Sequence, residues 1–168
     1  MASNKRKISS DTVVSLSAII IAIASIVVTI WQGIENRNHN RLSVRPKLEI
    51  NFQLTKDNFG YILKNNGLGP AVITDKKLFV DGKEISYSGF SGYDDFIEKL
   101  GLKDRKVTHM GIYPGKTIKA NEQINIIGFS INKSDDLDSL LPKIFSRVKI
   151  KIGYKSMYDE RFACEIPK

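Results

Sequence analysis

The sequence predicts an all-β domain, an antiparallel β-sandwich with two short helical inserts, carried behind one N-terminal transmembrane helix. Three observations predict it. Twenty residues, Thr12 to Trp31, run without a charge. From Pro46 onward, apolar and polar residues alternate with period two, as half-buried strands do. Turn residues break that alternation at short intervals, which suits many short antiparallel strands.

Composition sets the frame. The 168 residues are 42% hydrophobic, enough for a packed core. Lys and Arg number 26 against 18 Asp and Glu, a formal +8. Removing residues 1–11, with Lys5, Arg6 and Lys7 against Asp11, leaves 23 basic and 17 acidic residues, or +6 on the rest. A basic body suits anionic partners or plain solubility. Cys164 is the single cysteine, so no intrachain disulfide forms, and His39 and His109 lack metal-ligand spacing.

Residues 1–11 read as a basic tail and 12–31 as the span. A 20-residue helix covers about 30 Å of hydrocarbon. Its eleven Val, Leu and Ile residues supply about −3 to −7 kcal/mol of insertion free energy, partly offset by Ser and Thr. A cleaved signal peptide would have a shorter apolar core and a small-residue cleavage site. Here the run ends in Trp31 and leads into Gln32-Gly33-Ile34-Glu35-Asn36-Arg37, which predicts a retained single-pass anchor in the inner (cell) membrane. Ser15, Ala18, Ala22, Ser25 and Thr29 recur at spacings of 3, 4, 3 and 4, the seam of a heptad. That seam reads as a homo-oligomerisation face, where small residues let helices approach. Chance spacing in a span rich in Ala and Ser is the other reading. Orientation is undecided, because Lys5, Arg6 and Lys7 flank one end and Arg37, Arg41, Arg45 and Lys47 the other.

Residues 32–45 form a juxtamembrane linker. The helix is expected to continue a turn or two and stop ahead of Pro46. Arg37 and Arg41, four apart, share a helix face. They would meet lipid phosphates, or floor an anion site where several helices emerge together.

The β domain spans 46–168. Leu48, Ile50, Phe52 and Leu54 alternate with polar neighbours in a first strand. Tyr61 to Lys64 follow a turn at Gly60, and Asn65-Asn66-Gly67-Leu68-Gly69-Pro70 is a dense turn signal. Ala71 to Thr74 and Lys77 to Val80 resume as strands, and Asp81-Gly82 turns the chain back into Lys83 to Ile85. A helix is predicted over Tyr93 to Leu100, stopped by Gly101. Strands return at Val107 to Tyr113, Thr117 to Lys119 and Gln123 to Ile131, with a turn at Pro114-Gly115. A second helix opens at Ser134, where Asp135 and Asp136 suit its positive end. Asp135, Asp136 and Asp138 are read as capping rather than metal-binding, since the spacing and glycine of a calcium loop are missing. Arg147 to Lys155 and Arg161 to Ile166 close the chain, with Phe162, Cys164 and Ile166 inward. That makes seven or eight strands.

Catalytic chemistry is not expected. No phosphate-binding Gly-rich loop, nucleophile elbow or paired-Cys motif is present. Cys164 reads as a small core residue. Arg147, Lys149, Lys151 and Lys155 would line one face of a strand whose other face is Val148, Ile150, Ile152 and Tyr154. Lys103, Arg105, Lys106, Lys116, Lys119 and Arg161 are available to join them, with Arg41 and Arg45 from the linker. Three readings of these cations stand side by side: an anionic small ligand, a lipid surface, or solubility. Duplex DNA is not an expected partner, since no reading helix exists.

The span, His39-Asn40-Arg41-Leu42-Ser43-Val44-Arg45-Pro46-Lys47-Leu48 and Asn65-Asn66-Gly67-Leu68-Gly69-Pro70-Ala71 resemble a group of small bacterial single-pass membrane proteins with a C-terminal β domain. Within such architectures the chain looks like the membrane effectors of type III CRISPR antiviral defence. That resemblance implies a cytosolic body binding cyclic tetra-adenylate, a tetramer, action on membrane integrity and no enzyme activity. It transfers no binding residue and implies no other cofactor. The alternatives are a tethered protein-interaction module without a small ligand, or a phage-exclusion or immunity membrane protein.

Overall fold

The computed structural model describes residues 10–85, 91–133 and 135–166. The expectations for Lys5, Arg6 and Lys7, and for a helix start at Ser134, lie outside the described residues. The chain divides into two compact units, 1–42 and 43–168.

Helix α1 runs unbroken from Ser10 to Ser43, 34 residues and about 51 Å at the α-helical rise. It contains one stretch long and apolar enough to cross a membrane. It also carries the expected linker well beyond the turn or two predicted after Trp31. Glu35 and His39 pair across one turn at 3.3 Å, and Arg41 sits in the last turn, where a cation suits the helix dipole. Propagation costs little without a breaker, and the first breaker is Pro46.

The second unit holds nine strands among the described residues, in two sheets whose pairings are all antiparallel. The first sheet joins β1 (Leu48–Leu54), β2 (Asn58–Asn65), β7 (Gln123–Ser130) and β5 (Val107–Thr108), in the order β1-β2-β7-β5. The second joins β4 (Lys83–Ile85), β3 (Ala71–Val80), β8 (Val148–Lys155) and β9 (Arg161–Ile166) in that order, with β6 (Thr117–Ile118) also on β3. Side chains from both sheets share one buried core, including Phe59, Tyr61, Leu63, Ile73, Leu78, Ile126, Ile150 and Ile152. Helix α2 (Ser91–Leu100) adds Tyr93, Phe96, Ile97 and Leu100, and α3 (Leu137–Arg147) adds Ile144. Phe145 of α3 meets Phe52 edge-on at 4.4 Å, a favoured aromatic geometry.

Several local expectations are corrected. Gly60 is no turn; it lies within β2, where a side chain would strike the backbone of Ile127 and Gly128. The turn is made by Thr55 instead, whose N–H donates to the Asn58 carbonyl at 2.8 Å. The two strands expected at 71–74 and 77–80 are one strand, β3, with a register shift between Ile73 and Asp75. Only Val107 and Thr108 of the 107–113 segment pair as strand. Arg147 ends α3 rather than opening β8. Asp135 does not cap that helix; it binds Arg105. The Asp81-Gly82 turn holds: both residues have positive φ, 51° and 75°, as a tight hairpin requires.

Candidate functional site

Alternation along β8 is as the sequence predicts, with Val148, Ile150, Ile152 and Tyr154 buried and Lys149 and Lys151 exposed. Most of the cations expected on its outer side nevertheless meet carboxylates. Lys149 Nζ lies 3.4 Å from Glu165 on β9, and Lys155 Nζ 2.6 Å from Asp159. Arg147 grips Asp81 with two bonds, of 2.9 and 2.8 Å, and donates a third to the Lys99 carbonyl. Those bonds hold the Asp81 carboxyl below its usual range. Lys151 makes no ion pair among the described residues, and its cross-strand neighbours are Lys77 and Glu165. Folding thus sets an acid beside most of these bases. Sequence spacing alone conceals that, because the partners lie as far as 66 residues apart.

The loop cations are dispersed too. Arg105 makes a bidentate pair with Asp135, at 2.5 and 2.7 Å, with both side chains about nine-tenths buried. Its bonds depress the Asp135 pKa. Lys103 pairs with Glu98 at 3.0 Å. Lys103 and Arg105 share a shallow recess with Asp94, whereas Lys106 is exposed beside β5. Arg41 lies in the last turn of α1.

Arg45 is placed differently. Its guanidinium sits over the Phe162 ring, 4.7 Å from the centroid, a cation–π contact. Around it lie Lys47, Asn66, Leu68 and Tyr154, lining a recess of about 430 Å³. Arg45 forms no ion pair among the described residues. The turn that builds this recess is organised by Asn65, whose side chain is fully buried. Its Oδ1 accepts from the N–H groups of Lys47 and Gly67, and its Nδ2 donates to the carbonyls of Gly69 and Ile118. Gly67 and Gly69 let that turn lie directly on the backbone of residues 44–47, where a Cβ would overlap it. The turn from Asn65 to Pro70 is therefore a clamp on the segment that follows α1.

Sequence reading missed the burial of a lysine. Lys76 on β3 is 7% exposed, and its amine donates to the Tyr93 hydroxyl at 2.6 Å. His109 stacks on the Tyr93 ring at 4.3 Å. Burial pulls the Lys76 pKa down to about 8 and pushes that of Tyr93 up to about 12. Cys164 is half-buried against the core, and burial raises its thiol pKa to about 12, poor conditions for a nucleophile.

On the seam of α1, the hydroxyls of Ser25 and Thr29 bond back to the carbonyls of Ile21 and Ser25. The side chains of Ser15, Ala18 and Ala22 lie exposed beside them.

No family model matches this chain, and no curated protein does. Among solved structures, the archaellum periplasmic stator protein FlaG from Sulfolobus acidocaldarius is similar at 10% identity, over 73% of this chain and 100% of that one, with a TM-score of 0.29.

Proposed function

We propose that this chain is a single-pass protein of the cell membrane that holds a non-catalytic β domain, folded as a sandwich with α2 and α3 as inserts, on the cytosolic side as a binding module. The observation that carries the anchor is the surface of α1. Its large apolar side chains from Val13 to Trp31 stand 46–67% exposed, and lipid is the solvent that such a face suits. Alkaline carbonate extraction tests the anchor: the full chain stays in the membrane pellet, and release into the supernatant overturns it. A reporter fused after Lys168, active in the cytosol alone, tests the side.

A second reading gives the module a ligand, cyclic tetra-adenylate, and a tetramer to match it. The recess at Arg45 favours it, because a guanidinium with no ion pair among the described residues offers a phosphate partner. Arg147, Lys149 and Lys155 support it less, being held by acids. Titrating the full chain in lipid nanodiscs decides the matter. Ligand at 100 times its dissociation constant adds about 2.7 kcal/mol of stability, and Arg45→Ala removes that gain. An unchanged melting temperature at millimolar ligand ends this reading and leaves the interaction module.

A further inference from the structure

The outer face of the β1-β2-β7-β5 sheet carries a feature that neither reading uses. Register aligns Gln53, Gly60, Gly128 and Thr108 as one row across all four strands. The two middle members are glycines, so the row has side chains at its ends and bare backbone between them. A register shift lies beside this row, at Tyr61/Ile62, and bulges bend a strand locally. The result is a recess of about 160 Å³, with Asn58 and Asn125 at its other margins and Ile62 as an apolar patch.

Its chemistry is narrow. No lining side chain is charged. The amides of Asn58 and Asn125 and the hydroxyl of Thr108 make no hydrogen bond among the described residues. Gln53 has one weak contact, at 3.5 Å, with Gln123. Amide groups present a donor and an acceptor side by side, which matches a pair of adjacent hydroxyls. A phosphate would find no counter-charge here, and a purely apolar group would strip water from four polar side chains. Bare backbone in mid-strand lets a ligand ring lie close. Gly60 has a structural reason to be glycine, since a Cβ there strikes the neighbouring strand. Gly128 has a weaker one. A Cβ there first meets the Thr108 hydroxyl, at 2.9 Å, and Gly128 is not among the residues with positive φ.

We infer that this glycine-floored recess is a binding site for a neutral, hydroxyl-rich ring, a sugar unit, read by Gln53, Asn58, Asn125 and Thr108. The site stands apart from Arg45 and needs no membrane. The experiment is saturation-transfer difference NMR on the full chain in nanodiscs, with the methyl glycosides of glucose, galactose and N-acetylglucosamine at millimolar concentration, and adenosine beside them. Transfer to at least one glycoside is expected, weakened about tenfold or more in Asn125→Ala and in Gly128→Val, which fills the floor. Should Gly128→Val disturb the circular dichroism, exposed Asn125→Ala alone carries the result. The inference is overturned by transfer to none of the three glycosides, by transfer that both variants leave intact, or by transfer to adenosine alone.

Discussion

Two arginines show how environment decides the worth of an ion pair. Arg105 and Asp135 are both about nine-tenths buried, whereas Arg147 and Asp81 are 37% and 54% exposed. Removing one partner of a largely buried pair strands the other charge, so Arg105→Ala should be clearly the more destabilising of the two changes. Arg147→Ala should cost little, because water replaces its contacts. Denaturant titration of both variants checks the contrast, and equal losses would contradict it. Lys76 makes a pH prediction at the same scale. Its folded pKa of about 8 lies below the ordinary 10.5, so between these values the unfolded chain holds a proton that the folded chain has shed. Stability therefore rises with pH through that window, and the burial penalty is felt in full below about pH 8. The shift corresponds to a gain on the order of 3 kcal/mol. Tyr61, Tyr93 and Cys164 act oppositely, since their raised pKa values near 12 lose stability as pH climbs past their ordinary ones. The clean measurement is the difference between the wild type and Lys76→Met from pH 7.5 to 9, where the wild type alone should gain.

At the scale of elements, the turn from Asn65 to Pro70 acts as a fastener for residues 44–47. Asn65→Ala removes four hydrogen bonds and leaves buried partners unsatisfied, a loss of about 2–4 kcal/mol. Gly69→Ala forces a methyl into the Val44 backbone and should be at least as damaging. Hydrogen exchange at Lys47 and Gly67 reports the release directly, since both N–H groups lose the Asn65 acceptor. The clamp was legible only as punctuation: Asn, Gly and Pro announce a turn, but nothing local says what it grips. β1, β8 and the Asp81-Gly82 hairpin were legible because alternation and turn chemistry are local signals. β3 was half legible. Ile73 and Leu78 are both inward yet five residues apart, an odd spacing that a regular strand forbids. That mismatch, a bulge written in the sequence, is also what turns Lys76 inward. The partners of Arg147 and Arg105 stayed hidden, since long-range strand pairing brings Asp81 and Asp135 to them. The trough at Gly60 and Gly128 was equally hidden, as two glycines 68 positions apart become neighbours only through register.

For the whole molecule, the balance of the span can be tested by titrating charge into it. Its eleven Val, Leu and Ile residues contribute about −3 to −7 kcal/mol, reduced by Ser and Thr. One lysine near the helix centre adds about 2.5–3.5 kcal/mol and deletes an apolar contribution besides. Ile21→Lys should therefore bring insertion close to balance, with the chain divided between membrane pellet and supernatant. Adding Val27→Lys tips the sum positive, and the chain should leave the membrane. The β domain is a separate compact unit, so its thermal transition should survive both changes. Three outcomes are thus distinguishable by carbonate extraction combined with calorimetry. Stepwise release with an unchanged transition supports an anchor carrying an independent domain. Full retention of the double variant means that lipid is not what holds α1. Release accompanied by loss of the transition would mean that the domain depends on its helix for more than a tether.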